Sequence, residues 1–301
     1  MADSSLRVVV GGASGFLGGA LVDALRGRGH TVTRLVRGPA TGTGTSTWDP
    51  SAGRVDQRLI DEADVVVNLS GASIQRWPRT KSYRREILSS RLTATDTLSR
   101  AVGRSAQPAA LLSGSGMSFY GTDRGDTRLP ESSTPGEGFL PEVSQQWEAA
   151  TAPAVEAGAR VCLLRTSLVL EESGGALKLM AIPFRRYGGA VLGSGEQYMS
   201  YISRVDWVRA VVHLAEGDVS GPVNLATADP VTNRQFTDEL ARAVDAKAFL
   251  KAPAPIIKAA LGGLADDLLG SLRLEPMALS QSGFSFEAPD LPTTLQLGLR
   301  R

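Results

Sequence analysis

The 301-residue chain has a single cysteine, Cys162, and only two histidines, His30 and His213. One cysteine permits no intrachain disulfide and no cysteine-based zinc cluster. Two histidines are too few for a multi-histidine metal site, and a Ser-His-Asp hydrolase would depend on one or the other. Charge of one sign is also missing. Lys and Arg total 32 against 31 Asp and Glu, a net charge of +1. Such a balance gives no electrostatic case for nucleic acid or an anionic membrane surface. No apolar run approaches the ~20 residues of a membrane-spanning helix. The opening MADSSLRVVVGG lacks a basic segment followed by a signal-length apolar stretch, so a cytoplasmic protein is expected. The hydrophobic fraction of 42% and the charged fraction of 21% are ordinary for a globular chain. These absences leave the expectation of an α/β protein that borrows its chemistry from an organic cofactor.

Apolar, β-branched segments alternate with amphipathic ones. Leu6 to Gly11 (LRVVVG) predicts a strand buried on both faces. Phe16 to Arg28 predicts a helix, with Phe16, Leu17, Ala20, Leu21, Ala24 and Leu25 on one face and Gly29 as the stop. Thr31 to Val36 is the next strand, which closes a βαβ unit. Further strands are predicted at 64–69, 109–113 and 160–165, with helices over 79–102 and 141–158. The alternation predicts an α/β fold, a Rossmann-type doubly wound parallel sheet. Beyond about residue 170 the pattern loosens, apart from a helix near 205–216 and a strand at 222–226. The expected division is a Rossmann domain over 1–170, its sheet completed by 200–230, and a smaller substrate lobe over 171–301. A C-terminal module at 250–301 belongs to that lobe.

Between the first strand and the first helix lies Gly12-Ala-Ser14-Gly15-Phe16-Leu17-Gly18. Glycines there allow a tight turn and a close approach of backbone to a pyrophosphate, which the helix N-terminus then attracts. The strand before it, the helix after it and a second strand on schedule make this a dinucleotide motif. The bland alternative is a Gly-rich turn that binds nothing. NAD-specific sites carry an acid ~20 residues on, to hold the ribose 2′-OH. Here no Asp or Glu lies between Asp23 and Asp49, and Arg34 and Arg37 end the second strand instead. A guanidinium matches a 2′-phosphate in charge and fork geometry, so NADP(H) is the expected cofactor. Solvated surface arginines are the alternative. Asn68-Leu69-Ser70-Gly71 and Ser113 end two further strands, where ligands of doubly wound sheets lie.

The segments GGASGFLG, NLSGASI, RW, SSRLTAT, SGSGMSFYG, WEAA, RVCLLRTSLVL, GSGEQYMSYIS and GPVNLATADPVTN together resemble the extended short-chain dehydrogenase/reductase superfamily. WEAA, GGAVLGSGEQ and the tail segments FLKAPAPIIKAALGG and EPMALSQSGFSFEAPDL narrow this. They are similar to an atypical, NAD(P)-dependent epimerase/dehydratase-like branch with a C-terminal domain of unknown function. The resemblance covers nearly the whole chain. It implies an NADP(H)-binding Rossmann domain, a substrate lobe drawn largely from the C-terminal half and a cytosolic setting. It implies no particular substrate.

Typical members of that superfamily pair a Tyr-x-x-x-Lys with an upstream Ser or Thr. The cation lowers the tyrosine pKa for proton transfer while hydride moves to or from nicotinamide. None of Tyr83, Tyr120, Tyr187, Tyr198 and Tyr201 is followed by Lys at the fourth position. In PEVSQQWEAA the corresponding pairs are Val143 with Trp147 or Ser144 with Glu148. The usual serine position falls on Gly116, flanked by Ser115 and Ser118. Tyr120 has Arg124 four residues on, in a loop. The candidate catalytic residues are therefore Ser115, Tyr120 and Glu148, each with a packing or solvated alternative. Trp147 and Arg165 are candidates for the substrate pocket, against a core tryptophan and an interior ion pair. The stretch from Arg185 to Tyr201 reads as a mobile substrate loop or an ordinary connection. Asp206 fits a helix cap, and Cys162 a buried small hydrophobe. Two functions fit: an NADP(H)-dependent oxidoreductase or epimerase on a small polar substrate, or a catalytically silent NADPH-binding sensor or partner-binding protein.

Overall fold

A computed structural model describes residues 5–74, 76, 79–261 and 264–299. In chain order it begins with β1 (Arg7–Gly11), α1 (Phe16–Gly27), β2 (Thr31–Val36), β3 (Thr45–Thr47), α2 (Gln57–Asp61), β4 (Val65–Asn68), α3 (Lys81–Arg104) and β5 (Ala110–Gly116). It continues with β6 (Arg128–Leu129), α4 (Phe139–Ala149), α5 (Ala152–Glu156), β7 (Val161–Thr166), β8 (Leu168–Glu171), α6 (Gly175–Tyr187) and β9 (Gly189–Leu192). Then follow β10 (Tyr198–Met199), β11 (Tyr201–Ser203), α7 (Arg204–Glu216), β12 (Gly221–Leu225), β13 (Val231–Thr232), α8 (Asn233–Ala243) and β14 (Ala248–Ala252). The chain closes with α9 (Ala254–Leu261), α10 (Leu264–Leu269), β15 (Arg273–Leu274), α11 (Met277–Gln281) and α12 (Leu291–Gly298). None of the described helices is long and apolar enough to cross a membrane. The chain divides into two compact units. One holds residues up to Ser115, Glu142–Leu164 and Val208–Val223; the other holds Gly116–Pro141, Arg165–Trp207 and everything from Asn224.

A seven-stranded sheet in the order β12-β7-β5-β4-β1-β2-β3 forms the first unit's frame. β1 pairs in parallel with β2 on one side and with β4 on the other. The chain thus winds outward in both directions from β1. In such sheets the crevice for a ligand opens beyond the carboxyl ends at that reversal, here Gly11 and Asn68. Val8, Val9 and Val10 are at most 2% exposed, as the continuous apolar run requires. α3 covers one face with a stripe of Tyr83, Ile87, Arg91, Ala94, Leu98, Ala101 and Val102. Its spacing of three and four residues is that of one helix face.

Where one helix was expected over 141–158 there are two, α4 and α5. Thr151 Oγ1 donates to the Glu148 carbonyl at 2.7 Å, and Pro153, in the first turn of α5, has no N–H to continue α4. Ser99 of α3 bridges the break, donating to Thr151 O at 3.0 Å and accepting from Ala154 N at 3.0 Å. Cys162 is buried in β7 with its thiol donating to Val219 O at 2.9 Å. Desolvation pushes that thiol up to about 11.

The second unit is built on short strand pairs: β8 with β11 and β9 with β14, both parallel, β10 with β13 antiparallel, and β6 with β15 parallel. Its core joins Leu170, Leu177, Tyr201, Phe236, Leu240, Leu291 and Leu295. The stretch 185–201, read from sequence as a mobile substrate loop or an ordinary connection, holds short strands and tertiary hydrogen bonds. β9, β10 and the start of β11 take up much of it. Leu192 N donates to Asn233 Oδ1 at 2.9 Å, Gln197 Nε2 to Leu192 O at 3.0 Å, and Arg234 N to Gly195 O at 2.9 Å. Sequence periodicity misses this because strands of two to four residues are too short to show a period.

Candidate functional site

The glycine motif fits its turn for identifiable reasons. Gly12 has φ +78°, and a Cβ there would lie 2.6 Å from the Leu69 carbonyl carbon. A Cβ at Gly18 would lie 2.2 Å from Gly12 O, so α1 can approach β1 closely only with glycine there. Ser14 and Gly15 are exposed, and Phe16 and Leu17 half-buried. Gly15 N donates to Gly12 O at 3.0 Å, which closes the turn. At the N-terminus of α1, Gly15 supplies no side-chain cap and the first turn holds no acid. The positive dipole end thus has neither a capping side chain nor an acid in its own first turn, the arrangement suited to a phosphate.

Arg34 lies opposite Val10 in the β1–β2 register, one residue before the end of β1, and Arg37 follows β2 directly. Both are exposed, and neither guanidinium has a carboxylate partner among the described residues. β4 ends at Asn68, whose Oδ1 accepts from Ser70 N at 3.1 Å and whose Nδ2 donates to Thr95 Oγ1 at 2.9 Å. Leu69 is half-buried, with its N–H donating to Gly11 O at 2.9 Å, and Gly71 is exposed. Ser113 of β5 lies in register with Asn68. The buried hydroxyl oxygens of Ser70 and Ser113 have no hydrogen-bond partner among the described residues. Buried hydroxyls are ordinarily satisfied. Two orphaned hydroxyls, an uncapped helix N-terminus and two unpaired arginines fit a dinucleotide with an extra phosphate.

At the end of β5, Ser115 Oγ donates to Glu148 Oε1 of α4 at 2.6 Å. Ser115 is 6% exposed and Glu148 9%. The structure thus joins two of the three catalytic candidates into a buried hydroxyl–carboxyl pair able to pass a proton. Trp147, half-buried, donates from Nε1 to Thr95 Oγ1 at 2.9 Å. A Cβ on Gly114 would lie 2.7 Å from the Trp147 ring, so this indole packs directly on β5. That contact does not depend on any substrate.

Tyr120 and Arg165 form a different cluster, in the second unit. The buried Tyr120 hydroxyl donates to Asn224 Oδ1 at 2.7 Å and accepts from Arg165 Nη1 at 2.9 Å. Burial raises its pKa above the usual phenol value, against the opposing Arg165 charge. Arg124 donates to the Tyr120 carbonyl at 3.2 Å, so the Tyr-x-x-x-Arg spacing does not bring a cation to the hydroxyl. Arg165 is 4% exposed, donates to Glu131 O at 2.9 Å and lies over the Phe119 ring, 3.5 Å from its centroid. Glu131 Oε1 in turn accepts from Asn224 N at 3.0 Å and Ala278 N at 3.2 Å. Sequence reasoning missed Asn224, Glu131, Thr95 and Arg91. Only Arg91 left a trace there, as a charge on an apolar helical stripe.

Residues 8–226 match the NAD dependent epimerase/dehydratase family, and residues 252–296 match a domain of unknown function, DUF1731. The chain is 41% identical over 281 residues to an epimerase family protein of Mycobacterium bovis, covering 93% of each. It is 31% identical over 299 residues to the human epimerase family protein SDR39U1, covering 97% of this chain and 99% of that one. The crystal structure of human SDR39U1 with NADPH superposes with a TM-score of 0.86 at 31% identity, over 97% and 99% of the two chains. A nucleoside-diphosphate sugar epimerase from Corynebacterium glutamicum gives a TM-score of 0.80 at 33% identity, over 98% of this chain and 59% of that one. With the glycine turn, the parallel sheet and the tail all matched, the chain belongs to the NAD dependent epimerase/dehydratase family.

Proposed function

We propose that the protein binds NADP(H) and acts as an oxidoreductase or epimerase on a small polar substrate, with Ser115 and Glu148 handling the proton. Gly12 to Gly18 and the α1 N-terminus would hold the pyrophosphate, Arg34 and Arg37 the 2′-phosphate. Leu69, Ser70, Gly71 and Ser113 would border the cofactor at the ends of β4 and β5. The human relative crystallised with NADPH supports this choice of cofactor. When bound, the nicotinamide supplies hydride exchange at its C4. The carrying observation is the Ser115 Oγ–Glu148 Oε1 hydrogen bond at 2.6 Å. A substrate hydroxyl bonded to Ser115 would lose its proton to Ser115 Oγ as the serine proton passes to Glu148. The reverse would protonate a carbonyl oxygen. This pair replaces the Tyr-x-x-x-Lys that the chain lacks.

The test is isotope exchange at nicotinamide C4 with a panel of carbonyl compounds and nucleotide sugars. With a substrate that exchanges, Glu148→Gln and Ser115→Ala should each slow turnover by roughly 10²–10⁴-fold. NADPH affinity should stay within about two-fold, since neither group is placed on the phosphates or ribose. Exchange that is unaffected by Glu148→Gln rejects the relay. A second reading, an NADPH-binding sensor or partner-binding protein without turnover, is favoured by one observation: Tyr120, the tyrosine nearest the usual serine position in sequence, spends its hydroxyl on Asn224 and Arg165. No exchange across the panel would select it.

A further inference from the structure

The buried stripe of α3 runs Tyr83, Ile87, Arg91, Ala94, Leu98, and one member is a cation. Arg91 is 9% exposed. Its Nη1 donates to Ala72 O at 2.9 Å and to Ile87 O at 3.0 Å. Its guanidinium carbon lies 4.8 Å from the Trp147 ring centroid. These groups are neutral, and no carboxylate pairs with it among the described residues. Desolvation accordingly lowers its pKa to about 10. Both hydrogen bonds use Nη1, which leaves the Nε/Nη2 edge without a protein acceptor among the described residues. Arg28, in the same unit, shows what that edge does when paired: Nε meets Glu216 Oε1 at 2.6 Å and Nη2 meets Oε2 at 2.9 Å. A surface guanidinium can leave this edge to water, whereas a buried cation without a counter-ion is costly to keep.

We propose that Arg91 is the counter-charge for an oxyanion, a carboxylate or phosphate group, gripped by its Nε/Nη2 edge beside the Gly71 turn. A Cβ on Gly71 would lie 3.1 Å from the Arg91 guanidinium carbon and 3.2 Å from Nη1, so glycine at 71 lets the turn pack directly on the guanidinium. The turn follows β4 at the point where the sheet reverses, which places the cation beside the dinucleotide site. The parallel N–H pair of a guanidinium edge matches two oxygens of one anion, a recognition that lysine does not reproduce. The anion has two possible sources, a phosphate of the dinucleotide or an anionic group on the substrate. This assignment rests on the proposed dinucleotide site but not on the proton relay.

Isothermal titration separates the sources, with NADPH as one probe and inorganic phosphate on NADPH-saturated protein as the other. The variants are Arg91→Met and Arg91→Lys. Ser90→Ala is the control for a loosened turn, since Ser90 Oγ accepts from Ala72 N at 2.9 Å and carries no charge. If the dinucleotide supplies the anion, both Arg91 variants raise the NADPH Kd by about ten-fold and Ser90→Ala does not. If the substrate supplies it, the NADPH Kd holds, and wild-type protein binds phosphate at least about five-fold more tightly than either variant. In ¹⁵N-arginine-labelled wild-type protein the Arg91 Nε–H resonance, assigned by its loss in Arg91→Lys, shifts with the ligand that occupies the edge. That readout serves even if Arg91→Met does not fold. Unchanged binding of both probes in the Arg91 variants, an equal loss in Ser90→Ala, or an Nε–H resonance that neither probe moves overturns the proposal. Every readout is binding, so its failure is distinct from that of the Glu148 relay, which turnover reads.

Discussion

Asp206, fully buried in the first turn of α7, accepts from Glu287 N at 2.7 Å and Ala288 N at 2.8 Å. Ser203 Oγ donates to its Oδ2 at 3.0 Å while accepting from Asp206 N at 2.9 Å. The pair is a reciprocal cap, and the carboxylate also fastens a backbone segment more than eighty residues away in sequence. Asp206→Asn keeps the shape but turns an amide NH₂ toward one of those backbone donors. It should cost about 2–3 kcal/mol, the penalty for a buried donor without its charged acceptor, read as a lower denaturant midpoint at unchanged slope. His30 shows the same principle in the first unit. Its Nδ1 accepts from Leu6 N at 3.2 Å and its Nε2 faces Glu216 Oε1 at 2.9 Å, so this histidine is spent on structure.

Among elements, α3 does most to position the first unit's site. Thr80 caps its start, accepting from Tyr83 N at 3.2 Å. Thr95 then gathers Asn68 at the end of β4 and Trp147 of α4 onto one hydroxyl. Toward its C-terminus it packs so closely on α5 that a Cβ at Gly103 would lie 2.6 Å from Pro153 O. Gly103→Ala should therefore destabilise the protein by about 1–3 kcal/mol through overpacking, despite the better helix propensity of alanine. A rise in Tm would show that α5 can yield at no cost. The break between α4 and α5 is part of the same arrangement. Pro153 marked it in the sequence, but the helical apolar pattern ran through it. The compensating bonds to Ser99 and Thr151 are tertiary and invisible in either segment alone.

At the scale of the whole molecule, the dinucleotide reading makes a ligand-linked expectation. NADPH at a hundred times its Kd should stabilise the fold by about 2.7 kcal/mol, seen as a higher Tm. The shift with NADH at equal concentration should be smaller. If Arg34 and Arg37 hold the 2′-phosphate, as proposed, replacing both by alanine should weaken NADPH by about ten-fold or more and leave NADH unchanged, because NADH has no 2′-phosphate for them to meet. A larger shift with NADH than with NADPH would remove the case for the 2′-phosphate. The βαβ start, the glycine turn, the arginines at the end of β2 and the doubly wound order were all legible from the chain. The first three are local events, carried by residues within about thirty positions of one another, where periodicity and turn chemistry act directly, whereas the doubly wound sheet, whose β1 and β4 pair Val8 with Val65, was read from the alternation of strands and helices along the chain. The Ser115–Glu148 bond, the Tyr120–Asn224–Arg165 cluster and the unpaired edge of Arg91 were not legible. Their partners stand from 33 to 104 positions apart, or consist of a neighbour that is missing. Composition and spacing by themselves determined a parallel sheet with a dinucleotide turn, because backbone geometry and apolar burial follow local pattern. Only the tertiary structure decided which polar groups meet, because a buried donor or charge takes its character from whatever the fold places within about 3 Å of it.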